Sequence, residues 1–153
     1  MFLSERLQTH GIELSPPAGP FGAYVPARRV GKLVYVSGQL PMKDGELTAS
    51  GPVPSACSIE DARDAARLCV VNALGALHTL PLGVDNVVGV VRVGVFVNSD
   101  ADFQQQPYVA NGASEFLLTL FGEAGKHARA AVGVNTLPLG ASVEVEFVFE
   151  VKE

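Results

Sequence analysis

The sequence has no tryptophan, two cysteines and three histidines, and aromatic residues make up only 7% of it. Each scarcity excludes something. Cys57 and Cys69 form no Cys-x-x-Cys pattern and have no histidine cluster beside them, so neither a zinc site nor a disulfide framework is expected. Cys69 reads as core. His10, His78 and His127 are scattered, so no metal is expected, and His127 reads as an exposed residue. Positive charge is also scarce. There are 11 Lys and Arg against 16 Asp and Glu, a net charge of −5. Such a chain lacks the electrostatic footprint of a nucleic-acid binder, and RNA cleavage would want paired histidines or a His/Lys group that is not visible. No apolar run approaches the roughly 20 residues that cross a bilayer. The apolar stretch at the start carries Glu5 and Arg6, which does not suit a signal peptide, so a cytoplasmic protein is expected.

Apolar residues are abundant, at 48% of 153 positions. That suits one domain over 1–153, with 1–17 as an N-terminal helix and lead-in. The chain is organised around its last quarter. Ser142 to Val151 alternates strictly. Val143, Val145, Phe147, Phe149 and Val151 fall on one face, and Glu144, Glu146, Val148 and Glu150 on the other. Arg129 to Thr136 is a second apolar run, and Leu137-Pro138-Leu139-Gly140 between them supplies turn residues. A β-hairpin, or two strands side by side, is expected. Arg129 opens one strand and Glu144 the other, which makes this pair the candidate site. The alternative reading is a surface ion pair contributing about 0–1 kcal/mol.

Upstream, residues 2–10 read as a short helix with Ser4 as a possible N-cap. Pro16 to Pro20 reads as an extended lead-in. Residues 23–29 and 33–37 read as a strand pair turned at Gly31. Ser58 reads as the N-cap of a helix whose apolar positions, from Ala62 to Leu77, recur at helical spacing. Residues 87–97 are β-branched and apolar on both faces except at Arg92, which predicts a central strand. Pro107 opens a second long helix to about Phe121. The class is α+β, one sheet backed by two helices on one face. Two helices cover one face only, so the other is expected to meet a copy of the same chain.

With these segments placed, the chain resembles the YjgF-type family, the reactive enamine/imine intermediate deaminases, some of which carry the older name endoribonuclease L-PSP. Four motifs over about residues 18–151 carry the resemblance. Val34 to Pro41 is similar to V-x-V-S-G-Q-x-P. Asn111 is similar to a helix asparagine. Ala128-Arg129-Ala130-Ala131-Val132 is similar to A-R-x-x-V. Leu137-Pro138 with Val143-Glu144-Val145-Glu146 is similar to the closing L-P…V-E-I-E. The chain departs from the pattern in four places. Ala131 stands where cysteine is common, Tyr24 is the tyrosine in register with Gly31, Gly112-Ala113-Ser114 follows the asparagine, and the N-terminal helix is extra.

The resemblance implies a chorismate-mutase-like fold, a homotrimer with a central barrel and sites in the clefts between subunits. It implies hydrolysis of 2-imino acids to keto acids and ammonia, with no cofactor. Arg129 would hold the substrate carboxylate and Glu144 would serve the water. Tyr24 would close over the substrate, Ser37 and Asn111 would supply hydrogen bonds, and backbone near Gly38 and Ala131 would polarise the imine. The alternatives are an endoribonuclease and a non-catalytic trimer that binds small carboxylates.

Overall fold

A computed structural model describes residues 1–17 and 21–153; the Ala18-Gly19-Pro20 part of the expected lead-in lies outside them. The elements are α1 (Leu3–Thr9), β1 (Ala27–Val30), β2 (Leu33–Gln39), a small hairpin of β3 (Met42–Lys43) and β4 (Glu46–Leu47), α2 (Ile59–Ala76), β5 (Val87–Asn98), α3 (Gln106–Phe121), β6 (Ala128–Val134) and β7 (Val143–Val151). The five longer strands form one sheet in the order β1-β2-β7-β5-β6, in which only β5 and β6 run parallel. The class is α+β, as expected. The last two strands are not a hairpin, however. β5 lies between them and pairs with both. The chain between them turns at Pro138–Gly140, where Leu139 and Gly140 adopt positive φ, and Gly140 is tied to Gly51 rather than folded back on β6. Sequence marks where the chain turns but not which strand the next one joins.

Helix α2 follows its sequence closely. Ser58 Oγ accepts from Asp61 N–H, and Ala62, Ala65, Ala66, Cys69, Val70, Ala73 and Leu74 are buried. Most of these are small, so the helix lies close to the sheet. Ser4 does not cap α1, because its N–H and hydroxyl both donate to the Asp85 carboxylate at 2.8 Å, docking the helix beside β5. Glu5 accepts from Phe2 N–H instead. Helices α2 and α3 meet at Gly112, where a Cβ would collide with the Arg63 backbone. Gly112→Ala is therefore expected to lower stability by about 1–3 kcal/mol, seen as a lower urea midpoint at unchanged slope.

Both long helices cover the sheet face that carries Val143, Val145 and Phe147, α2 over β7 and β2 and α3 over β5 and β6. The opposite face stays open. Tyr35 is 49% exposed, Val91 40% and Val132 44%. The chain has no helix long and apolar enough to cross a membrane among its described residues.

Candidate functional site

Cross-strand register decides which predicted residues can meet. Arg129 lies opposite Val93, which lies opposite Phe147, so all three share the helix-covered face. Glu144 lies opposite Phe96, which lies opposite Val132, on the open face. Arg129 and Glu144 therefore point to opposite sides of one sheet. The pair expected from sequence does not form within one chain, and neither does an ion pair between them.

The structure does bring Arg129 and Asn111 together. The Arg129 Nη1 donates to Asn111 Oδ1 at 2.7 Å and to Ser114 Oγ at 3.2 Å. Asn111 and Ser114 are one helical turn apart on α3, a spacing that aims both at the same strand edge. These two bonds use both protons of Nη1. Among the described residues, Nε and Nη2 have no hydrogen-bond partner, and Arg129 has no carboxylate within salt-bridge distance. Arg129, itself exposed, lines an open surface hollow of about 380 Å³ together with Ser114, Leu118, Lys126 and His127. A planar fork with a fixed back edge and an open front edge suits a carboxylate held by two parallel bonds.

His127, expected to be exposed, is half-buried here. Its Nδ1 lies 2.6 Å from the Gly125 carbonyl and its Nε2 lies 2.9 Å from Ser114 Oγ. Sequence reading missed both His127 and Ser114. The signals were the i, i+3 spacing of Asn111 and Ser114 on a helix, and the two-residue spacing of His127 and Arg129 along an extended chain. Ala131 faces the helices opposite Val95, half-buried against the core.

On the open face, the Glu144 carboxylate leans over Gly38, where any Cβ would collide with it. Burial, and then the neighbouring Glu146 carboxylate, push the Glu144 carboxyl above its ordinary value. Tyr24 and Ser37 line a second cavity of about 620 Å³ on this face, together with Arg28, Arg92 and Glu146. The Ser37 hydroxyl donates to the Val25 carbonyl at 2.7 Å, so its proton braces the loop and only its lone pairs face outward. The seven residues singled out in the sequence thus fall into two groups on opposite faces of the sheet. Arg129, Asn111 and Ala131 lie on the β6–α3 side, and Tyr24, Ser37, Gly38 and Glu144 on the β2–β7 side.

The sequence matches, over residues 4–151, a family model described as YjgF/chorismate mutase-like, with endoribonuclease as an unproven label. It is 40% identical over 149 residues to Protein TCP17 of Trypanosoma cruzi, covering 97% of this chain and 93% of that one. It is 31% identical over 129 residues to a 2-iminobutanoate/2-iminopropanoate deaminase of Dermatophagoides farinae, covering 83% and 84%. Among solved structures, the protein Atu1372 of Agrobacterium tumefaciens, described as having unknown function, superposes with a TM-score of 0.87 at 39% identity, covering 98% and 92%.

Proposed function

This chain belongs to the YjgF/chorismate mutase-like family, and on that premise we propose that it hydrolyses 2-imino acids to 2-keto acids and ammonia in clefts between the subunits of a homotrimer. The observation that carries the reading is Arg129. Its guanidinium is held from behind by Asn111 and Ser114, lines an open surface hollow and has no carboxylate partner among the described residues. That arrangement favours capture of a carboxylate-bearing ligand over a rim ion pair. Glu144, with its raised pKa, is suited to take a proton from the attacking water. Tyr24 covers the ligand, Ser37 accepts a hydrogen bond, and the backbone at Gly38 and Ala131 borders the reacting carbon.

The opposed directions of Arg129 and Glu144 require two chains to complete one site. The exposed apolar side chains of the open face supply a surface for such a partner. The test is complementation. Arg129→Ala and Glu144→Gln homomers should each be nearly inactive. Refolded together at equal amounts, random mixing in a trimer leaves about a quarter of the clefts with both native residues, so about a quarter of wild-type imine hydrolysis should return. No recovery in mixed assemblies, confirmed as mixed by native mass spectrometry, would sink the composite site. Hydrolysis is followed on 2-imino acids generated in place by an amino-acid oxidase. A trimer that binds 2-oxobutyrate without hydrolysing any of them would be a carboxylate-binding protein instead.

One observation favours the endoribonuclease label. Lys126, His127 and Arg129, which lie within four consecutive residues, line one pocket and so place a histidine beside two cations. The net charge of −5 opposes it, and intact single-stranded RNA after incubation with the wild type would dismiss it.

A further inference from the structure

Strand β5 is apolar along its length except at Arg92, and that arginine stands on the open face. Cross-strand register places Arg28, Tyr35, Val148 and Arg92 in one row across β1, β2, β7 and β5. The arginines end the row. Their backbones are three strand spacings apart, roughly 14 Å, with an aromatic and an aliphatic side chain between them. Both arginines line the cavity of about 620 Å³ to which Tyr24 and Ser37 belong. Neither is neutralised. Arg28 has no carboxylate within salt-bridge distance among the described residues. Arg92 meets one, Glu146, at 4.0 Å, and both side chains of that pair are about half exposed. The Glu146 side chain leans across Gly94, where a Cβ would collide with it. The cavity therefore carries two cations and one anion, on a chain whose net charge is −5. Local positive charge beside a floor of Tyr35 and Val148 suits an acid group carried on a short carbon chain.

We propose that this cavity selects 2-imino acids whose side chain ends in a second acid group, and that Arg28 and Arg92 bind that group. The inference rests on the imine-hydrolase reading and names its substrate class. In the composite cleft, Arg129 of one subunit holds the 2-carboxylate. The substrate side chain then runs past Tyr24 and Ser37 of the other subunit and lies over Tyr35 and Val148, between the two arginines. The Glu146 contact does not compete strongly. A half-exposed pair at its distance is weak, whereas a carboxylate that approaches a guanidinium edge-on makes two parallel charge-assisted bonds. A substrate with an apolar side chain reaches the same floor but leaves both cations unpaired.

Calorimetric titration with 2-oxoglutarate and with 2-oxopentanoate, which has the same carbon number and no second acid, tests the proposal. The wild type should bind 2-oxoglutarate about tenfold tighter or more, through charge-assisted bonds that the other ligand lacks. Arg28→Gln and Arg92→Gln should each bring the two affinities to within about threefold. The same ratios should appear in kcat/KM for imines generated in place from glutamate and from norvaline. Arg28 is exposed on the edge strand β1, so Arg28→Gln carries the comparison if Arg92→Gln does not fold. Equal affinities in the wild type, or a preference unchanged in Arg28→Gln, would overturn the proposal. A wild type that hydrolyses the norvaline-derived imine without preferring the glutamate-derived one would overturn it too, and leave imine hydrolysis standing. A wild type that prefers 2-oxoglutarate through these arginines yet hydrolyses no imine would overturn the hydrolase reading and leave the acid-binding cavity standing.

Discussion

Glu144→Gln is expected to lower imine turnover by about 10²-fold or more while leaving the affinity for 2-oxobutyrate near wild type, or slightly tighter. The amide keeps the size and hydrogen-bonding capacity of the carboxylate but cannot take a proton from water. In the proposed site, product binding rests on Arg129, and loss of a nearby negative charge does not weaken the binding of an anion. The pH dependence has a definite sign. A general base works ionised, so the rate is lost as pH falls through its pKa. Burial and Glu146 raise the pKa of Glu144, so the acid limb of kcat/KM should lie above the ordinary carboxylate range, and Glu144→Gln should lack it. Stopped-flow rates across acid to neutral pH, beside calorimetric titration with 2-oxobutyrate, read both outcomes. Wild-type turnover in Glu144→Gln would remove the base assignment.

Arg129→Lys is expected to weaken 2-oxobutyrate binding and lower kcat/KM together by about 30-fold or more, corresponding to roughly 2 kcal/mol. Charge is kept, but the geometry is not. The arginine bonds Asn111 and Ser114 through one nitrogen and still offers two donor nitrogens forward. An ammonium has three protons on one nitrogen and cannot hold both helix partners and both carboxylate oxygens. The untethered Asn111 side chain would also lose its fixed direction, while Ser114 keeps its bond to His127. Calorimetry measures the affinity. Wild-type affinity in Arg129→Lys would return the arginine to an incidental surface charge.

Much of the architecture was legible because local chemistry and global packing agree. The alternation from Val143 to Val151, the Ser58 cap and the apolar spacing of α2 each appear in the fold as the sequence implies. The hairpin was not legible. Pro138 and Gly140 set a turn, but long-range pairing placed β7 against β2 and β5. That Arg129 and Asn111 lie at one place was accessible through motif resemblance, but their direct hydrogen bond was not. The separation of Arg129 from Glu144 follows from strand order and register, which a single sequence does not carry. Ser114 and His127 were not assigned to the site because neither belongs to the motifs that carry the family resemblance. Their meeting depends on how α3 lies along β6.

Gly38 and Glu144 constrain one another in a way that extends to how the sequence can drift. A side chain at 38 has no room while the carboxylate occupies its place. Shortening residue 144 would open that room but withdraw the carboxylate. A lineage that first gains alanine at 38 must move Glu144 aside, and one that first shortens residue 144 loses the proposed base before any packing gain at 38. The collision is with the mobile end of the Glu144 side chain, so a methyl at 38 is accommodated by swinging the carboxylate aside, and its consequence is a displaced proposed base rather than a destabilised fold.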